Sequence, residues 1–139
     1  MIVFDTNVYL DAARDAGLAA RLGALVADQR EVVGLSSVVM AELRAGLQSG
    51  PEGKRLLRTT IGSVEPADYV TPTDGDWQDA GDALRRLGGD GVTKSRSFWN
   101  DLLIATSCAR SGATLLTSNV RDFKRIRRVV DLSIEARPD

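Results

Sequence analysis

Histidine is absent from this 139-residue chain, and cysteine occurs only once, as Cys108. The lack of histidine excludes Ser-His-Asp and Cys-His catalysis and histidine-ligated zinc, so a hydrolytic site would have to use carboxylates, lysine or a bound ion. A single cysteine excludes an internal disulfide and suits a reducing cytosol, which predicts a cytoplasmic protein. The helical pattern around Cys108 predicts a small core residue.

Long apolar runs are also missing, and no stretch approaches the ~20 residues that a membrane span needs. No basic and apolar leader opens the sequence. Hydrophobic residues make up 43% and charged residues 27% of the chain, which is typical of a soluble globular protein. We therefore expect one domain over residues 1–139, with no membrane association.

Short buried-strand patterns alternate with helical patterns along the chain. Strands are predicted at 2–4, 31–35, 69–71, 113–117 and 129–134. Helices are predicted in two parts up to about residue 30 with a break at Gly17, then at about 37–48, from Pro51, at 77–87 and from Phe98. This alternation implies right-handed crossovers and an α/β fold with a mainly parallel sheet.

Four carboxylates stand where strands end or helices begin. Asp5 and Asp122 follow strands, and Asp101 opens a helix. Glu42 lies on an apolar helix face with no Lys or Arg three or four positions away. Strand ends and the helix starts that follow them gather at one edge of a parallel sheet, so all four acids can converge. Such acids raise one another's pKa values unless a hard cation such as Mg²⁺ or Mn²⁺ binds among them, and a metal-bound water can attack phosphorus.

Each of these acids also has a simpler interpretation. Asp5 could merely cap the helix that follows it, because Asp, Thr and Asn are all good N-caps. Asp101 could complement a helix dipole from the first turn. Glu42 could be a partly exposed surface residue that turns out to water.

Four segments occur in a fixed order along the sequence: FDTN at 4–7, AEL at 41–43, NDLLIA at 100–105 and LTSNVRDF at 116–123. Together they resemble the PIN-domain family, specifically VapC-type toxins of bacterial or archaeal toxin–antitoxin pairs. The resemblance implies a three-layer α/β/α sandwich and a Mg²⁺- or Mn²⁺-dependent endoribonuclease. By position, Asp5, Glu42 and Asp101 would be the catalytic acids nearest the metal.

The same resemblance extends to the surroundings of these acids. It implies that Asp122 is a fourth, more loosely placed acid, while Asn119 stands where some relatives carry an acid, so the fourth ligand stays open. Thr6, Asn7 and Thr117 match positions that support the site by hydrogen bonding, and Asn119 is counted with them. The resemblance further implies a homodimer, a cognate VapB-type antitoxin, and structured RNA of the tRNA or rRNA class as substrate.

Basic residues are concentrated late in the chain, where five of the eight positions 121–128 are Lys or Arg. They adjoin the predicted pocket, and RNA binding would use them as phosphate contacts. The predicted RNA contacts are Arg121, Lys124 and Arg125, with Lys94 and Arg96 from an earlier loop. A solvated helix face, or contacts within a dimer, is the alternative. Trp77 and Trp99 fall in helical patterns and are predicted to be core residues.

Two other functions stay open at this point. A PIN-like fold could bind RNA or a partner protein without catalysis. Asp5 could also be the nucleophile of an aspartyl-phosphate phosphatase, as in haloacid-dehalogenase-like enzymes. Those enzymes usually carry a second Asp two residues later, where this chain has Asn7.

Overall fold

A computed structural model describes residues 1–29, 31–46, 51, 68–88 and 95–139. Its strands are β1 (Ile2–Phe4), β2 (Val33–Ser36), β3 (Tyr69–Val70), β4 (Thr114–Thr117) and β5 (Ser133–Ala136). The helices in these ranges are α1 (Thr6–Arg14), α2 (Ala16–Gln29), α3 (Ser37–Gly46), α4 (Asp74–Leu87), α5 (Arg96–Ser111) and α6 (Val120–Ile126).

The five strands form one sheet in the order β3-β2-β1-β4-β5, and all four neighbouring pairs are parallel. The chain fills one half of the sheet with β1, β2 and β3, then returns to the other side of β1 for β4 and β5. Strand order therefore reverses next to β1, and open α/β sheets bind ligands outside the carboxyl ends of the strands at such a reversal, which here are the ends of β1 and β4. The predicted parallel α/β sheet is confirmed.

Helices cover both faces of the sheet, because alternate strand residues point to opposite sides. Ile2 and Leu116 belong to a core cluster with residues of α1 and α2. Val3 and Leu115 belong to a second cluster with residues of α3, α4, α5 and α6. The result is the predicted three-layer α/β/α sandwich.

Local hydrogen bonds set the helix ends. Asp15 separates α1 from α2 in an extended conformation, and its carboxylate accepts from the backbone N–H of Leu18. The predicted break at Gly17 was therefore wrong by two residues, because the Asp15 side chain and not the glycine starts the new helix. Ser95 caps α5, and Gly112 ends that helix with a φ of 68°. None of the described helices is long and apolar enough to cross a membrane.

Other predicted elements differ in position or in burial. The last strand begins at Ser133, later than the predicted 129–134, and the helix predicted from Pro51 lies almost wholly outside the described residues. Trp77 is 55% exposed, so its prediction as a core residue was wrong. The buried face of α4 is formed by Asp76, Ala80 and Ala83, and position 77 is rotated away from it by about 100°.

Candidate metal centre

The end of β1 holds the most restrained acid of the candidate site. Asp5 is 5% exposed, and its Oδ1 accepts from the backbone N–H of Thr6 at 2.8 Å. Its Oδ2 accepts from the hydroxyl of Thr117, at the end of β4, also at 2.8 Å. Asp5 is therefore the N-cap of α1, as the simpler interpretation of this residue predicts. It also accepts a hydrogen bond from a residue distant in sequence, which capping does not require. Burial raises the pKa of Asp5, although both hydrogen bonds oppose that rise.

Glu42 reaches the same region from α3. The hydroxyl of Thr6 donates to its Oε1 at 2.9 Å. Burial raises the pKa of Glu42, the hydroxyl of Thr6 and the nearby amide of Asn100 oppose that rise, and the charge of Asp5 adds to it. Glu42 is thus partly buried and engaged by a neighbouring helix.

Asp101 on α5 shows that the four acids share one electrostatic environment. It is 8% exposed, and its pKa is raised to about 8. Burial is the largest cause, followed by the charges of Asp5, Glu42 and Asp122. The structure therefore brings together acids from four separate elements.

The fourth acid is tied to the others through Asn119. Asn119 donates from Nδ2 to Oδ2 of Asp122 at 3.0 Å, and its backbone N–H donates to the hydroxyl of Thr117 at 2.8 Å. Because Thr117 in turn donates to Asp5, one chain of hydrogen bonds links Asp122 to Asp5. The amide of Asn119 thus orients the Asp122 carboxylate. Asn7 lies exposed in the first turn of α1.

The chemistry of these side chains fits a hard divalent cation. The acids offer only oxygen donors, which Mg²⁺ and Mn²⁺ prefer. The ion pairs between described residues involve other carboxylates, namely Glu31, Asp82, Asp76 and Asp11. Within the described ranges, however, no three acidic or thiol side chains are placed to hold one ion as they stand. Coordination by three of these acids therefore requires some side chains to rearrange.

Some of the residues predicted to contact RNA are exposed at the surface and others are not. Arg96, Arg121 and Lys124 are exposed, and the last two lie beside Asp122 in α6. Arg125 is half-buried, with its guanidinium carbon 5.8 Å from the centre of the Phe98 ring. Lys94 lies outside the described residues.

Sequence reasoning missed Asn100, which precedes Asp101 and whose side-chain amide lowers the pKa of Glu42. The only signal in the sequence is its place beside a candidate acid in the first turns of a helix. Its effect on Glu42 depends on how α3 and α5 pack, which local sequence patterns do not report.

The fold is an α/β/α sandwich with a parallel sheet, and an acidic cluster lies where the strand order of that sheet reverses. These two features define the structural class of this protein. The sequence matches the family model described as PIN domain over residues 2–129, and the chain belongs to this family. The predicted resemblance to VapC-type PIN-domain proteins is confirmed, and proteins of this kind are nucleases.

Solved structures with the same fold include several VapBC structures. VapBC2 from Rickettsia felis, bound to a DNA fragment from its promoter, contains a chain with a TM-score of 0.74 and 24% identity, with 98% of each chain covered. DNA-bound VapBC from Salmonella typhimurium contains a chain with a TM-score of 0.72 and 19% identity, and the match covers 99% of this chain and 98% of that chain. VapBC-1 from nontypeable Haemophilus influenzae contains a chain with a TM-score of 0.65 and 25% identity, and the match covers 98% of each chain. No curated protein matches the sequence.

Proposed function

We propose that this chain is a metal-dependent endoribonuclease that acts as the toxin of a toxin–antitoxin pair. The observation that carries the proposal is the meeting of four carboxylates beside the end of β1, where burial, followed by the charges of the other three acids, raises the pKa of Asp101 to about 8. Membership of a nuclease family supports the proposal independently.

The residues of the candidate site would have different roles in metal binding. Asp5, Glu42 and Asp101 would hold Mg²⁺ or Mn²⁺, with Asp122 as a looser fourth member. The ion, when bound, supplies a Lewis acid that lowers the pKa of a bound water and stabilises charge at phosphorus. Thr117 keeps Asp5 in one orientation, because its hydroxyl fixes one carboxylate oxygen while the backbone of α1 fixes the other.

Binding of a polyanion beside an acidic pocket requires neighbouring cations. Arg96, Arg121 and Lys124 are exposed and meet this need, with Lys94 and Arg125 as further candidates. Structured RNA of the tRNA or rRNA class is the proposed substrate. The proposed partners are a VapB-type antitoxin and a second copy of the chain, in the cytoplasm, and likeness to VapBC structures supports the antitoxin.

A non-catalytic RNA- or partner-binding module is the second candidate function. The observation that favours it is that no three acids of the described residues are placed to hold one ion as they stand. The phosphatase alternative has less support, because both oxygens of Asp5 already accept hydrogen bonds and Asn7 replaces the second Asp.

A cleavage assay separates these candidates. RNA is incubated with the pure protein in Mg²⁺, Mn²⁺ or EDTA, beside Asp5→Asn and the control Asp28→Asn, an exposed position on α2. We expect cleavage by wild type and control only with metal, and a loss of at least ~100-fold in Asp5→Asn. Equal cleavage in EDTA and by Asp5→Asn would contradict the metal site. RNA binding by wild type without cleavage would favour the binding module.

A growth assay tests the toxin role. Cells that express the chain without an antitoxin should stop growing, and Asp101→Asn should restore growth at equal protein levels. Continued toxicity of well-folded Asp101→Asn would show that Asp101 is not essential.

A further inference from the structure

The segment that follows β5 closes a ring of contacts around Asp5. Two elements hold Asp5, because its Oδ1 accepts from the backbone of α1 and its Oδ2 accepts from Thr117 at the end of β4. Arg137 contacts the same two elements. Its backbone N–H donates to the carbonyl oxygen of Thr117 at 3.0 Å, and its Nε lies 3.4 Å from Oδ2 of Asp11 in α1.

The side chain of Arg137 lies along the surface of the fold and does not extend into solvent. Its Nε is shielded from water, although 31% of the side chain is exposed, and Nη1 donates to the carbonyl oxygen of Pro138 at 2.9 Å. A shielded guanidinium N–H loses hydration, so the nearby carboxylate of Asp11 offsets part of that cost. The direction of the side chain toward α1 is therefore favoured by this ion pair.

We propose that Arg137 is a positioning residue for the metal site, which fixes α1 relative to the end of β4 and thereby holds the Asp5 carboxylate in place. The inference rests on the proposed function, because Asp5 is a proposed metal ligand. Arg137 itself would touch neither the ion nor the substrate. It acts through Asp11 on one side and through Thr117 on the other.

The packing of α1 explains why such an anchor matters. This helix has nine residues, and Val8 is the one among them that is buried. The N–H of Thr6 moves with α1, whereas the hydroxyl of Thr117 moves with β4. A displacement of α1 from β4 would therefore lengthen at least one of the two hydrogen bonds that orient Asp5, and the ion pair of Arg137 resists that displacement.

The test measures Mn²⁺ affinity by calorimetry, so it does not depend on cleavage. Arg137→Gln and Asp11→Asn each break the ion pair, but they change the net charge in opposite directions. We expect both variants to bind Mn²⁺ more weakly by about 2- to 5-fold, in line with the strength of a partly exposed ion pair. An effect of the electrostatic field alone would strengthen binding in Arg137→Gln and weaken it in Asp11→Asn.

Two matched controls make the same charge changes away from the ion pair. Arg21→Gln and Asp28→Asn lie at exposed positions on α2 and should alter Mn²⁺ affinity less than the test variants do. The double variant of Arg137→Gln with Asp11→Asn should lose no more affinity than the weaker-binding single variant, because both residues act through one pair.

Urea denaturation of the same variants separates positioning from a general loss of stability. A merely structural role would lower the urea midpoint while the folded variants bind Mn²⁺ as wild type does, and this result would overturn the inference. Stronger binding by Arg137→Gln, or losses that add in the double variant, would also overturn it. If wild type does not bind Mn²⁺, the proposed function fails and the inference fails with it. If wild type binds and Arg137→Gln binds equally well, only the inference fails.

Discussion

The hydroxyl of Thr117 donates a 2.8 Å hydrogen bond to Oδ2 of Asp5, so side chains as well as backbone join the ends of β4 and β1. The two residues are 112 positions apart in sequence. Thr117 is fully buried, and its oxygen also accepts from the backbone N–H of Asn119. The hydroxyl donates to Asp5 because an ionised carboxylate can only accept, and a lone pair of the same oxygen accepts from the backbone that follows.

This relationship predicts that Thr117→Val will impair metal-dependent RNA cleavage by roughly 10- to 100-fold, because Asp5 loses the donor that orients it. Thr117→Ser keeps the hydroxyl and serves as the matched control, with a much smaller effect. Initial rates at saturating Mn²⁺ and at limiting Mn²⁺ would show whether affinity or turnover is lost. Full activity of Thr117→Val at both concentrations would mean that the bond to Asp5 has no part in the reaction.

The sequence was sufficient to predict the framework that brings the acids together. Strand patterns at Ile2–Phe4 and near Thr114–Thr117 are local, and their parallel arrangement follows from the helices between them. Once the strands are parallel, residues that follow them must share an edge. The meeting of Asp5 with Asp122 could therefore be predicted without any knowledge of side-chain contacts.

The sequence was not sufficient to predict which way individual side chains point. The core prediction for Trp77 failed because Asp76 takes the inward position of α4, where Arg110 and the helix N-terminus compensate its charge. The effect of Asn100 on the pKa of Glu42 was missed for a related reason. Both depend on the packing of helices distant in sequence, and a helical periodicity cannot distinguish a buried polar residue with a partner from an exposed one.

The raised pKa of Asp101 predicts that the metal-free protein loses stability as the pH rises. The unfolded chain releases this proton near pH 3.8, whereas the folded chain keeps it until about pH 8. Between these values the unfolded state binds fewer protons, so the free energy of unfolding falls with increasing pH. Asp101→Asn should therefore be more stable than wild type in EDTA, by about 1–3 kcal/mol more at pH 8 than at pH 5.

Urea denaturation of both proteins at the two pH values measures this difference, with Asp28→Asn as the control. Added Mn²⁺ should reverse the order at pH 8, because it stabilises the wild type by binding its carboxylates. A stability difference between Asp101→Asn and wild type that does not change with pH would mean that Asp101 is ionised over the whole range.

Asp76 makes a separate contribution to stability, away from the candidate metal centre. It forms a capping box with Thr73 and accepts from Nε of Arg110 at 2.8 Å. Burial alone would raise its pKa, but these hydrogen bonds and the Arg110 charge outweigh burial and lower it. Asp76→Ala should reduce the free energy of unfolding by about 2–3 kcal/mol, as measured in urea at pH 7.

The exposed Asp79 on the same helix provides the control for that change, since Asp79→Ala should have an effect below about 0.5 kcal/mol. The sign of the pH effect is opposite to that of Asp101. A lowered pKa contributes stability at neutral pH that is lost as the pH falls through the lowered value. The difference between wild type and Asp76→Ala should thus shrink in acid, and a constant difference would exclude ionised Asp76 as its source.

The exposed cations of α6 predict how RNA binding depends on salt. Arg121 and Lys124 lie on either side of Asp122, close enough in sequence to contact phosphates beside the pocket. In the cleavage-deficient Asp5→Asn background, Arg121→Gln and Lys124→Gln should each weaken RNA binding and reduce the slope of log affinity against log salt by about 0.7–0.9. Filter binding at several salt concentrations measures both quantities.

Arg85→Gln is the control for these variants, because Arg85 is an exposed cation on α4 that is paired with Asp82. It should leave the slope unchanged, since loss of one positive charge at a distance alters the general field but not the number of displaced counterions. If all three variants lower affinity equally with no change of slope, net charge accounts for the effect and α6 does not contact phosphate. If neither α6 variant alters binding, these cations belong to a solvated face or to an interface between copies of the chain.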